Sequence, residues 1–315
     1  MKIVFMGTPT FAVGILDKLV KEKCEIVAVV TVADKPTGRG QKISFSAVKE
    51  YALLHNLPIL QPLNLKDDVF VSELKKLNAD LFVVVAFRML PEIIWIMPSK
   101  GTINLHASLL PQYRGAAPIN WAIINGDKET GVSTFFIEKE IDTGDILFKE
   151  TVVIDENETA GVLHDKLMEL GKELVFKSVL QIKNGKINPI KQNELTLNTP
   201  LRLAPKLNKE NTKINWNKNV DEIHNLCRGL SPYPSAWTCI ENIENGQTKI
   251  LKIFQTEKTK LKCENVILEN KNELLFPCKN YYLRIKECQL EGKKRMETKE
   301  FLAGFSFKKW KISEN

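Results

Sequence analysis

Leu81-Phe82-Val83-Val84-Val85-Ala86-Phe87 is an unbroken apolar run, too short for a helix buried on every face and lacking the polar alternation of a half-exposed strand. A strand of this kind is buried on both sides, and such strands occur in mostly parallel sheets covered by helices on both faces. The flanking sequence agrees. Residues 2–6 and Ile26–Thr31 are apolar, β-branched runs, and between them Phe11, Ile15, Leu16 and Leu19 recur at helical spacing, which makes a β-α-β opening. Further apolar segments near 58–61, Thr102–His106, 131–137 and 145–154 continue the pattern. From about Glu158 to Lys183 a helix is expected on Val162, Leu163, Leu167, Leu170, Leu174, Val175 and Val179, stopped by Asn184-Gly185. The fold class that follows is α/β with a mostly parallel sheet.

The pattern then changes. Residues 189–207 are polar, without clear periodicity, and carry Pro189, Pro200 and Pro205, which marks an interdomain linker between a domain at 1–188 and another at 208–315. Past it, a short helix near 218–228 precedes Ser231-Pro232-Tyr233-Pro234. Short strand-like segments follow at Ala236–Ile240, Lys249–Gln255, Asn265–Leu268, Glu273–Pro277 and Tyr281–Glu287, the pattern of a small β-barrel. Charge divides with the domains. Residues 205–315 hold 21 Lys and Arg against 14 Asp and Glu, a net of +7, while residues 1–204 are neutral. Such a module is either a solvated Lys-rich surface or a partner for a polyanion. No run reaches the ~18 apolar residues of a membrane span, and the amino terminus passes from a first strand into Gly7-Thr8-Pro9 without a leader segment, so a cytoplasmic protein with no membrane contact is expected. The six cysteines form no Cys-x-x-Cys pair and have no His cluster beside them, so neither a disulfide framework nor a metal site is expected.

The chemistry is concentrated in two places. The first β-α turn, Gly7-Thr8-Pro9, lacks two of the three glycines of a dinucleotide fingerprint, and Pro9 removes an N–H that could face a pyrophosphate. The stronger constellation is Thr102-Ile103-Asn104-Leu105-His106. Residues two apart on a strand share a face, so Asn104 and His106 project together at its carboxyl end. A carboxamide beside an imidazole suits holding a carbonyl and moving a proton, though such a pair also serves simply to satisfy itself. Asp142-Thr143-Gly144-Asp145, a loop between two apolar strands, adds a carboxylate that could orient the imidazole.

Together these residues resemble the folate-dependent formyltransferases. The likeness is carried by Ile103-Asn104-Leu105-His106, by Ser108-Leu109-Leu110-Pro111-Gln112-Tyr113-Arg114-Gly115-Ala116-Ala117-Pro118 and by Asp142-Thr143-Gly144-Asp145. It extends to Phe5-Met6-Gly7-Thr8-Pro9, to Asp34-Lys35-Pro36-Thr37-Gly38-Arg39-Gly40-Gln41-Lys42, and to Ile214-Asn215-Trp216, Ser231-Pro232-Tyr233-Pro234 and Trp237. The resemblance implies a Rossmann-like catalytic domain followed by an OB-like barrel, and formyl transfer from 10-formyltetrahydrofolate to the methionine amino group of an initiator methionyl-tRNA. It makes Asn104, His106 and Asp142 the catalytic trio and Ser108, Leu109, Leu110 and Pro111 the folate segment. Phe87, Arg88, Met89 and Leu90 are the expected pterin contacts, although Ala86-Phe87-Arg88-Met89-Leu90-Pro91 departs from the Ala-Tyr-Gly and Ile-Leu-Pro of many members and is closer to glycinamide ribonucleotide formyltransferases. Arg39 and Lys42, with Lys206 and Arg228 of the C-terminal domain, are the candidate tRNA contacts; no metal and no obligate protein partner is implied. Two other readings stand beside this one: formylation of a small amine by the same chemistry, and a non-catalytic RNA-binding protein. The basic Gly38–Lys42 loop and the +7 domain favour tRNA over a small amine, and the intact trio favours an enzyme.

Overall fold

The computed structural model describes residues 1–37, 42–195 and 200–313. The chain divides into two compact units, one of Met1–Pro118, Thr130–Val152 and His164–Leu203, the other of Ile119–Glu129, Val153–Leu163 and Ala204–Asn315.

The first unit is built on a seven-stranded sheet. Read across it, the strands are Ile146–Val153, Glu129–Phe136, Thr102–His106, Leu81–Val85, Lys2–Gly7, Glu25–Val30 and Ile59–Leu60. The five from Thr102–His106 onward pair in parallel, whereas Glu129–Phe136 runs antiparallel to Thr102–His106. A β-branched run reads the same in either direction, so only the pairing reveals this reversal. The Leu81 run stops at Val85 rather than Phe87, because Ala86 turns into the left-handed region at φ +46°.

Helix Thr10–Lys21 buries Phe11, Ala12, Ile15, Leu16 and Leu19, the stripe its spacing dictates. At the turn before it, a Cβ on Gly7 would lie 2.6 Å from the Ala12 Cβ, so this glycine serves close helix–strand packing. The long helix Ala160–Lys183 approaches the Asn104 strand at Gly171, whose missing Cβ makes room for the Leu105 side chain. Buried hydroxyls of Thr134 and Ser178 share a 2.8 Å hydrogen bond between that helix and the Glu129–Phe136 strand. Three strand ends of the parallel set, at Gly7, Val85 and His106, therefore open at one carboxyl edge, held from behind by helices.

The second unit is an antiparallel sheet of seven strands. Along its path lie Leu268–Glu269, Leu274–Pro277, Tyr281–Leu290, Thr248–Lys262, Ala236–Asn242 and Trp310–Ile312, with Met296–Glu297 added to Tyr281–Leu290. Thr248–Lys262 outruns its expected end at Gln255, since Thr256–Lys262 is mostly polar and charged yet stays paired with Tyr281–Leu290 across bulges that shift the register. Bulges bend and coil a strand. Its core includes Trp216, stacked on Phe276 at 4.8 Å with its indole N–H donated to Thr238. Helix Val220–Gly229, started by an Asn219–Glu222 capping box, packs Val220, Ile223 and Cys227 into this core.

Candidate active site

Asn104 and His106 stand two residues apart on one strand, which pairs in register with its parallel neighbour, Asn104 opposite Val84 and Leu105 opposite Val85. His106 is nearly buried, at 6% exposed. Its Nε2 lies 2.8 Å from the Tyr113 carbonyl oxygen. A carbonyl only accepts, so Nε2 carries a proton and donates it, which leaves Nδ1 as the working nitrogen. Tyr113 is well placed to hold the ring. It sits at φ +61°, its N–H donates to the Arg202 carbonyl at 2.7 Å, and its hydroxyl accepts from the Arg202 guanidinium at 3.1 Å.

Nδ1 of His106 faces the Asp142 carboxylate, 3.8 Å from Oδ2. That same oxygen accepts the Gly115 N–H at 2.9 Å. Asp142 reaches this position at φ +56°, in the left-handed region, where Asp is among the better-tolerated residues. The loop must also pass close to its own strand, since a Cβ on Gly144 would lie 1.8 Å from the Phe136 carbonyl oxygen. The Asn104 carboxamide oxygen is buried and has no hydrogen-bond partner among the described residues. An unpaired buried acceptor costs ~1–3 kcal/mol, and this one is free to take a donor from a bound molecule.

The expected trio thus comes together within the first unit. The other expected residues divide. Ser108 is fully buried and donates to the Gln112 carbonyl, and Leu110 and Pro111 are buried too, so within Ser108–Pro111 the half-buried Leu109 alone has much accessible side chain. Arg88, Met89 and Leu90 line an open depression of about 710 Å³ with Leu63, Lys66 and Ile93, while Phe87 does not. Met89 is 74% exposed. Arg88 donates to the carbonyls of Pro62 and Leu63, tying its loop to the facing one, and burial pulls its guanidinium below its ordinary value.

Arg39 lies outside the described residues, and of Lys42 only the backbone is described, paired with Thr37 in a hairpin. At that hairpin's root Asp34 accepts from Lys49 and Gln61, whose hydrogen bonds hold its carboxyl below the usual range. In the second unit Lys206 is exposed. Arg228 is not: at 7% exposed, it donates to Asn225 and to the carbonyls of Asp155 and Glu158. Its guanidinium is committed to its own unit, which does not fit the contact with tRNA phosphates expected of it. Among the described residues no His, Cys, Asp and Glu group of three or more could hold a metal ion, and no helix is long and apolar enough to cross a membrane.

Sequence reasoning passed over Gln192. This residue of the expected linker is 4% exposed and binds both the Arg114 guanidinium and the backbone of the Asp142 loop. Beside it, Ile190 bridges to Ile146, which anchors the segment to the first unit.

Residues 1–179 match the family model described as Formyl transferase, and residues 206–306 match Formyl transferase, C-terminal domain. The methionyl-tRNA formyltransferase of Flavobacterium johnsoniae is 52% identical over 310 residues, covering 98% of this chain and 97% of that one. That of Bacteroides fragilis is 49% identical over 309 residues, covering 97% and 95%. Among solved structures, the N-formyltransferase of Helicobacter canadensis in complex with folinic acid and dTDP-3-aminofucose superposes with a TM-score of 0.68 at 23% identity, over 94% of this chain and all of that one. WlaRD, a sugar 3N-formyl transferase, superposes with a TM-score of 0.65 at 25% identity, over 93% and 99%.

Proposed function

The chain belongs to the formyl transferase family and is a formyltransferase that acts on initiator methionyl-tRNA, and from that premise we propose that 10-formyltetrahydrofolate is its donor and that Asn104, His106 and Asp142 perform the transfer. The observation that carries the proposal is the meeting of these three side chains at the carboxyl edge of the parallel strands, where ligands of open α/β sheets bind. The neutral amine attacks the formyl carbon, and a tetrahedral intermediate forms with negative charge on oxygen. The Asn104 amide N–H and a proton on His106 Nδ1 donate to that oxygen, and one such donor is worth ~10²–10³ in rate. Because Nε2–H stays on the Tyr113 carbonyl, the ring keeps its orientation while Nδ1 gains or gives its proton. The partnerless Asn104 oxygen suits an N–H of the attacking amine. Asp142 balances the charge of the ring and helps pass the amine's proton to the departing folate nitrogen as the carbon–nitrogen bond to the donor breaks.

The depression beside Met89 and Leu90 takes the pterin in this reading, as an open, largely apolar surface next to the trio's sheet edge. Residues 208–315 form the OB-like, tRNA-binding domain, joined through 189–207 to the catalytic domain at 1–188. The antiparallel path with its bulged long strand supports the barrel, and the net charge of +7 over 205–315, with Lys206 exposed, supports contact with phosphates. Arg39 and Lys42 extend that contact from the catalytic domain. The test is direct: the protein is given 10-formyltetrahydrofolate with charged initiator tRNA and an amino-sugar nucleotide in competition, and the formylated amine is identified. Formyl-methionyl-tRNA is expected. A formylated sugar nucleotide, with methionyl-tRNA left untouched, would overturn the reading.

A further inference from the structure

The Gln192 carboxamide uses all of its hydrogen-bonding capacity inside the first unit. Its Nε2 donates to the Asp142 carbonyl at 2.9 Å and to the Gly144 carbonyl at 2.8 Å. Its Oε1 accepts from the Arg114 guanidinium twice, at 3.1 Å from Nε and 2.6 Å from Nη2. Arg114 immediately precedes Gly115, whose N–H holds the Asp142 carboxylate from the other side. One buried amide therefore ties together the two segments that between them set where the Asp142 carboxylate sits. The loop needs such a tie. Asp142 is held at φ +56° and stands 3.8 Å from His106 Nδ1, beyond hydrogen-bond reach, so no direct bond to the ring fixes it.

We infer that Gln192 is a positioning residue for the transfer reaction, acting through Asp142: it holds the Asp142–Gly144 backbone against the Arg114–Gly115 segment so that the carboxylate faces His106 Nδ1. The inference rests on the reading of Asp142 as a member of the reacting trio. Its chemistry is specific to a carboxamide. A carboxylate at 192 would keep the pairing with Arg114 but turn its second oxygen toward two carbonyl oxygens, and a methionine would keep the volume while leaving both carbonyls and the guanidinium unpaired. Gln192 lies far from Asp142 in sequence, on a segment whose Ile190 is bridged to Ile146, the first strand residue after the loop, so the segment is held beside the loop it ties.

The experiment is a double-mutant cycle on the full chain, in which Gln192→Glu and Gln192→Met are each combined with Asp142→Asn. Turnover, KM for methionyl-tRNA, affinity for a folate analogue and melting temperature are measured for every variant. In the wild-type background both Gln192 variants are expected to lose tenfold or more in kcat with less than threefold change in KM and folate affinity. In the Asp142→Asn background they are expected to lose little further. A general loosening of the fold would move affinity and melting temperature and would lower kcat equally in both backgrounds, and equal losses would overturn the inference. So would wild-type turnover in Gln192→Glu. If Gln192→Met fails to fold, Gln192→Glu, which keeps the Arg114 pairing, decides. Full activity in Asp142→Asn alone would instead sink the assignment of the trio, a result separable from failure at Gln192.

Discussion

Gly144→Ala isolates the geometry of the Asp142 loop from its chemistry, because the substitution adds one methyl group and removes nothing that could react. The added Cβ would sit 1.8 Å from the Phe136 carbonyl oxygen and 3.0 Å from its carbon, where real Cβ contacts essentially never fall below 3.0 Å. The obstacle is strand backbone, whose N–H is already bonded to the Asp145 carbonyl, so the loop has to retreat by about 1.2 Å. Overpacking of this kind costs ~1–3 kcal/mol, a fall of roughly 2–12 °C in the melting temperature of a unit this size. The effect on rate is larger in proportion, because a displacement of ~1 Å at a reacting group can cost ~10²-fold. Single-turnover formylation of methionyl-tRNA by the donor-loaded protein should therefore slow by about two orders of magnitude. Affinity for a folate analogue should hold, since Gly144 does not line the Met89 depression and its added Cβ presses on Phe136 and Glu138. A wild-type single-turnover rate in a folded Gly144→Ala protein would refute the reasoning, and lost folate affinity with an unchanged rate would move the loop to the donor site.

Asn104→Ala, His106→Ala and Asp142→Ala should each lower kcat by about two orders of magnitude or more with little change in folate affinity, and double mutants should fall well short of additive loss; near-normal turnover in His106→Ala would contradict the mechanism. Lys206→Ala should weaken tRNA binding and lower the slope of log affinity against log salt by about one without moving the melting temperature. Arg228→Ala should instead unpair buried carbonyls and destabilise the second unit by roughly 2–4 kcal/mol, and a melting curve unchanged by it would count against the buried role. Burial holds His224 neutral and pulls its pKa from 6.5 to about 4, so the unfolded chain binds the extra proton first as pH falls. Stability should thus be full above pH 6.5 and decline by about 3 kcal/mol toward pH 4, a slope that His224→Gln should flatten in denaturant titrations.

What the sequence made legible was local. Asn104 and His106 could be paired because strand alternation relates residues two apart, and the carboxyl end of a buried strand is where a polar pair needs a reason. The direction of Glu129–Phe136 could not be read, because pairing partners carry the direction and the apolar run does not. Charge misled at Arg228, and there the spacing held a warning. Val220, His224 and Arg228 fall four apart on a helix that also buries Ile223 and Cys227, so position 228 lies on the inward stripe. A basic residue on such a stripe has to find acceptors at home, and it finds them in Asp155 and Glu158.

Gln192 shows why the remainder of the site lay beyond reach. An amide in a polar, proline-marked stretch has the composition of a tether, and nothing within several residues of it says that its partners are Arg114, Asp142 and Gly144. The residues that could react are identifiable by type, since few side chains move protons or hold an oxyanion. The residues that place them are identifiable only by what they touch, because backbone carbonyls are the same at every position. The Asp142-Thr143-Gly144-Asp145 loop contains both kinds. Its carboxylates mark it as a place for chemistry, but which of them faces His106 is decided by a left-handed backbone at Asp142, a glycine pressed against Phe136 and an amide arriving from fifty residues downstream.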